Sequence, residues 1–174
     1  MPSTATHAGK TRTRATARPA KPRSTDNAVN LLKADHRQVA AWFGEFEKAR
    51  SASVKARLAT SICAALKVHT QIEEEIFYPA FIEATRDKDM HHEAVVEHMG
   101  AKTLIADIEK SGPSDDYFDS KVHVLSEMIK HHVKEEEQPG GMFAEAKKSK
   151  MDLDELGRQL AERKQQLMQQ MKPH

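Results

Sequence analysis

The strongest constraint on this 174-residue chain is an apolar stripe of helical period that recurs four times, each time with a histidine where Leu or Ile would pack. The first stripe reads Val29, Leu32, His36, Val39, Phe43 and Phe46, with Asp26 or Ser24 able to cap the helix. After a break near Ser51 to Ser53 the second reads Val54, Leu58, Ile62, Leu66, His69, Glu73 and Ile76. Pro79 is expected to bend or end that helix, because it lacks a backbone donor and clashes one turn back. The third runs through His91, Val95, His98, Ala101, Ile105 and Ile108 and is stopped by Ser111-Gly112-Pro113. The fourth runs through Phe118, Val122, Leu125, Ile129, His132 and Glu136 up to Pro139-Gly140-Gly141. Four amphipathic helices joined by short loops predict an all-α fold, an up-down antiparallel four-helix bundle over residues 26–146. A further stripe of Leu153, Leu156, Leu160, Leu167 and Met171 predicts an extra C-terminal helix over residues 152–171, which we expect to pack on its own bundle rather than on a partner.

Composition narrows the class. No apolar run approaches the roughly 18 residues of a membrane span, and the N-terminus lacks the apolar stretch of a secretory signal, so the expectation is a soluble protein with no membrane partner. The single cysteine, Cys63, closes no intramolecular disulfide and builds no thiolate metal site, which favours a reducing, cytoplasmic compartment. The formal net charge of +1 hides an asymmetry: Lys10, Arg12, Arg14, Arg18, Lys21 and Arg23 lie in residues 1–25 without one Asp or Glu. That tail has no apolar period and is expected to be disordered. Its charge could attract nucleic acid, but no aromatic residue is interleaved for stacking, so a solvated tail is the preferred reading.

A buried polar group without a partner costs on the order of 2 kcal/mol or more. One core histidine is more often hydrogen-bonded than metal-bound. Four of them on four helices, with carboxylates beside two, turn that balance round. The carboxylates sit at His69-x-x-x-Glu73 and His132-x-x-x-Glu136, one turn apart on the same face, where both side chains reach one centre. The spacing alone is weak evidence, since His123 to Glu127 and His131 to Glu135 share it, but helix phase assigns the first to solvent and the second to a flank. The pattern also repeats: Lys67-x-His69-x-x-x-Glu73-Glu74 is echoed by Lys130-x-His132-x-x-x-Glu136-Glu137. Two related hairpins, each giving two histidines and one glutamate, suit a pair of metal ions bridged by two carboxylates. Imidazole and carboxylate without thiolate put iron ahead of manganese or zinc. Neither Glu-x-x-His nor His-Glu-x-x-His occurs in the chain.

Together, Leu31-Leu32-Lys33-Ala34-Asp35-His36, the run from His69 to Pro79, Glu97-His98, and the run from His131 to Glu137 resemble the hemerythrin-like proteins with HHE cation-binding domains, over about residues 26–146. The resemblance implies a four-helix bundle with a non-haem di-iron centre bridged by an oxo or hydroxo oxygen and two carboxylates. His36, His69, His98 and His132 would be terminal ligands and Glu73 and Glu136 the bridges. It further implies binding of O2 or a related small ligand such as peroxide or NO, with peroxide-decomposing or ferroxidase-type activity. The alternative is an iron, oxygen or redox sensor without turnover, acting through the fifth helix or the basic tail. The chain departs from the oxygen-carrying members where their third helix usually has a second histidine four residues on; here Lys102 follows His98. That leaves more open coordination, unless Glu97 or water fills it, and favours reaction over carriage. Lys102 either stabilises a bound anion or sends its ammonium to water. Gln138-Pro139-Gly140-Gly141 is expected to fray the fourth helix past Glu136, His91 to sit at the bundle end, Tyr78 to point away from the site, and Cys63 to be a packing residue.

Overall fold

The computed structural model describes residues 27–171, so the basic tail expected to be disordered lies outside the described residues. Among the described residues every regular element is helical: α1 (Ala28–Lys48), α2 (Ala52–Ile72), a π-helical turn (Glu73–Phe77), α3 (Tyr78–Thr85), α4 (Lys88–Ser111), α5 (Phe118–Glu137), α6 (Met142–Lys148) and α7 (Leu153–Gln170). The cap of α1 is Asn27 rather than Asp26 or Ser24; its Oδ1 accepts the Asn30 N–H at 2.9 Å. None of the helices is long and apolar enough to cross a membrane.

The stripes of α1 and α5 are buried at every position expected. Their residues feed two apolar cores. One gathers Val39, Phe43 and Phe46 of α1, Leu58, Ile62 and Leu66 of α2, Ala101, Ile105 and Ile108 of α4, and Phe118, Val122, Leu125 and Ile129 of α5. The other gathers Ala28, Val29 and Leu32 with Val68, Ile72, Phe77, Tyr78, Phe81, Ala94, Met142, Phe143, Leu160 and Leu167. Each fully buried Leu, Ile or Phe stabilises the fold by about 1.5–3 kcal/mol. On every long helix the inward histidine falls at the junction of the two cores. Cys63 belongs to the first core, and burial, with Glu109 nearby, pushes its thiol up to about 11, which fits a packing residue.

Two expectations are corrected. The helical run does not end at Pro79, one of the two outcomes expected there; α2 stops earlier, at Ile72. The run widens into the π turn, in which the Tyr78 N–H reaches back to the Glu73 carbonyl, and Pro79 then falls in the first turn of α3, where a missing N–H costs nothing. Nor does α5 fray past Glu136. It runs to Glu137, the Gln138 N–H closes on the Lys134 carbonyl at 2.9 Å, and Glu136 stays buried. The chain then turns so tightly that a Cβ on Gly141 would collide with the Glu135 carbonyl oxygen, and α6 lays Phe143 against the His36 ring, 5.8 Å between centroids.

The C-terminal α7 packs on its own bundle, burying Leu160 and Leu167 in the second core against α1 and α2. Arg163 adds paired hydrogen bonds to Glu75, and Lys164 forms an ion pair with Asp35. Met171, the last residue of the expected stripe, is exposed.

Candidate metal centre

Four imidazoles and two carboxylates meet where the four long helices pass between the two cores. His36, His69, His98, His132, Glu73 and Glu136 are all at most 6% exposed. Their Nε2 atoms face one another in pairs, His36 with His69 at 3.0 Å and His98 with His132 at 3.3 Å. Each carboxylate reaches one ring of each pair. Glu73 Oε2 lies 3.3 Å from His69 Nε2 and 3.4 Å from His98 Nε2; Glu136 Oε2 lies 3.4 Å from His36 Nε2 and 3.7 Å from His132 Nε2. Two overlapping groups of donor atoms result: His36, His69, Glu73 and Glu136, and Glu73, His98 and His132, each with its atoms within 4.8 Å of one another.

The outer ring nitrogens explain why Nε2 is the free donor. His36 Nδ1–H donates to Glu137 at 2.8 Å, His98 Nδ1–H to Glu74 at 3.0 Å, and His132 Nδ1–H to Glu97 at 2.7 Å, while His69 Nδ1 faces Asp35 at a longer 3.6 Å. A carboxylate only accepts, so the contacts of His36, His98 and His132 place a proton on Nδ1 and turn Nε2 inward, whereas His69 Nδ1 is buried without a hydrogen-bond partner. The four acids follow one rule. The residue before the first histidine of each half, Asp35 or Glu97, serves the second histidine of that half. The residue after each inward glutamate, Glu74 or Glu137, serves the first histidine of the other half.

The residues fit a metal cation on their own chemistry. The donors are nitrogen and oxygen only, and Glu73 Oε1 and Glu136 Oε2 are buried without a hydrogen-bond partner, at a cost of about 1–3 kcal/mol each. Ionisation tells the same story. Burial and the neighbouring Glu73 charge push Glu136 up to about 8. Burial works against a charged His69, but Glu73 and the contact with Asp35 override it and raise that ring to about 10. Glu73 is held well below its ordinary value, against its burial, by His69 and His98. Burial lowers His36. The raised Glu136 and His69 both favour a bound proton at neutral pH, positive charge that a cation in the same place would supply instead.

Tyr78 joins the site, which corrects the expectation that it points away. Its hydroxyl is 3.2 Å from His98 Nε2 and lies within donating distance of Glu136 Oε1 at 3.3 Å and Glu73 Oε2 at 3.5 Å. In an unbroken α-helix nine residues carry it half a turn away from His69; the wider π turn resets that phase. Burial and the two carboxylates hold its phenol well above its ordinary value. Lys102 does not trail free in water. Its ammonium clamps both Glu74 oxygens at 2.6 Å and so touches the site only through Glu74 and His98. Glu97 stands behind His132. His91 lies edge-on to the Tyr78 ring at 5.7 Å and joins neither buried donor group. His123 and Glu127 are exposed as expected, though Glu127 bonds Lys130, and His131 pairs with Glu97 rather than Glu135.

Fold and site together define a helical-bundle protein built around a buried imidazole and carboxylate cluster for cations. The profile of the family described as Hemerythrin HHE cation binding domain matches residues 27–139. The chain belongs to that family. Its fold is similar to the crystal structure of a hemerythrin HHE cation binding domain-containing protein from Mycobacterium kansasii, at 23% identity and a TM-score of 0.68, covering 83% of this chain and 88% of that one. No curated protein matches the chain significantly.

Proposed function

We propose that this protein is a non-haem di-iron protein of the cytoplasm, an up-down antiparallel bundle whose centre binds O2 or a related small ligand and turns over peroxide. The observation that carries the reading is the sharing of each buried carboxylate between one histidine of each pair, the arrangement two bridged ions require. His36 and His69 would hold one iron, His98 and His132 the other, and Glu73 and Glu136 would span them. An iron pair, when bound, supplies redox chemistry toward oxygen and peroxide. The chain's own contribution is threefold. Val39, Leu66, Ile129 and Val133 line a narrow apolar cavity beside the four histidines and keep bulk water out. The carboxylates of Glu74, Glu97 and Glu137 on Nδ1 hold three of the four rings in their donor tautomer. The Tyr78 hydroxyl keeps its proton at neutral pH and can deliver it to a small oxygen ligand next to His98.

Iron quantitation and an optical spectrum of aerobically purified protein, before and after peroxide, test the reading. The expected content is about two irons per chain, lost when His69→Ala and His132→Ala are combined. Iron-free protein, or loading indifferent to that pair, refutes it.

A second reading, a sensor module without turnover, draws on one specific contact. Lys164 of α7 pairs with Asp35, which faces His69. A change at the centre would then reach an outer helix through two side chains. Iron-dependent hydrogen exchange in α7 without peroxide turnover would favour this second reading.

A further inference from the structure

The two halves of the bundle match position for position, but the surfaces behind their histidines are built in opposite ways. Behind His69, Asp35 is met by Lys164, and the surrounding positions are Leu31, Val68 and Ile72, packed into the second core. The matching positions behind His132 are Glu97, Glu93, His131 and Glu135. Neither Glu93 nor Glu97 has a lysine or arginine partner among the described residues, and Glu93 and His131 are exposed. One donor atom from each of Glu93, Glu97 and His131 lies within 4.8 Å of the others. Glu97 faces both ways: Oε1 is 3.2 Å from His131 Nε2, and Oε2 accepts the His132 Nδ1–H at 2.7 Å. A cavity of about 50 Å³ has Glu93 and Glu97 at its rim and His132 and Glu136 at its floor. At that floor Glu136 Oε2 is buried with no hydrogen-bond partner.

We propose that Glu93, Glu97 and His131 form a surface loading site that captures a hydrated divalent cation and passes it inward along this cavity to the buried cluster. The inference rests on the reading of that cluster as a cation centre. Two carboxylates and an imidazole can replace part of the water around an ion such as Fe(II). The cavity has room for the ion with about one water. Glu97 spans the step, with one oxygen facing His131 at the surface and the other facing His132, which lines the inner end of the cavity. The opposite half has Leu31 and Val68 in place of Glu93 and His131, and its acid, Asp35, is covered by Lys164, so loading enters from one side.

The test uses the full chain, stripped with a chelator and mixed anaerobically with ferrous sulfate, with uptake followed by quenching into a ferrous chelator. In Glu93→Gln combined with His131→Gln, uptake slows about tenfold, while iron per chain at the end equals that of the wild type. Glu155→Gln, which removes one acid from exposed α7, leaves the rate unchanged. A slowing of less than threefold, an equal slowing in Glu155→Gln, or a lower final iron content overturns the loading site and leaves the di-iron reading standing. Wild-type protein that takes up no iron overturns both.

Discussion

Tyr78 is the residue that most changes the chemistry of the site, because its hydroxyl lies within hydrogen-bonding distance of both buried carboxylates and of His98 Nε2. Replacing it with Phe keeps the ring in the core and removes only the hydroxyl. Tyr78→Phe is expected to retain its metal, to change stability by no more than about 1.5 kcal/mol, and to consume peroxide about 100-fold more slowly. An unchanged rate in a stopped-flow peroxide assay would assign the phenol to packing. The neighbouring groups predict how pH acts. Glu136 rises from an ordinary 4.5 to about 8 and His69 from 6.5 to about 10. Both therefore hold protons at pH 7 that a cation must displace. Cation affinity should rise with pH, and Fe(II) added to chelated protein in weak buffer at pH 7 should release protons to an indicator dye; no release contradicts the assignment. The same two groups bind protons more tightly folded than unfolded. Their stabilising effect on the chelated protein is full at low pH, then lost for Glu136 as pH rises from 4.5 through about 8 and for His69 from 6.5 through about 10.

Two short elements place these residues, and neither follows from helical periodicity. The stripes of α1 and α5 were fully legible because an uninterrupted α-helix keeps its phase for 20 residues or more. The π turn over Glu73–Phe77 breaks that phase, which is why Tyr78 is misassigned by counting and why Pro79 is read as a stop. Seven residues are too few for α6 to leave a periodic signal, and the glycines before it read as a fraying helix end rather than as a tight turn. The signal that was present but unread is the acid beside each inward residue. Asp35-His36, Glu97-His98, Glu73-Glu74 and Glu136-Glu137 recur in both halves; Glu74, Glu97 and Glu137 each hydrogen-bond a histidine Nδ1, and Asp35 faces the fourth at 3.6 Å. The turn before α6 gives a sharp contrast in one substitution type. Gly141→Ala sets a Cβ against the Glu135 carbonyl and should cost about 2 kcal/mol or more. Gly44→Ala, with nothing within 4 Å of the new Cβ in mid-α1, should stabilise by about 0.5–1 kcal/mol. Urea midpoints of the two variants check both signs, and a neutral Gly141→Ala would mean the turn relaxes freely.

At the scale of the whole molecule the outer acids join the two hairpins into one unit. Glu74, next to the carboxylate of the first half, holds His98 of the second; Glu137, next to the carboxylate of the second half, holds His36 of the first. Each brace is itself tied down by a lysine, Lys102 on Glu74 and Lys33 on Glu137 at 2.9 Å. The bond from His36 lowers Glu137 to about 2, so its charge persists throughout the range in which the protein works. Cutting one brace leaves a buried imidazole free to turn, yet the other brace still holds the halves in register. Glu74→Ala and Glu137→Ala should each therefore weaken cation binding about 10–100-fold, measured by competition with a chelator. The double variant should lose more than the product of the two, because only then do the halves separate without resistance. Losses that simply multiply would mean that each acid orients its own ring and nothing else, and that the apolar cores alone fix how the hairpins meet.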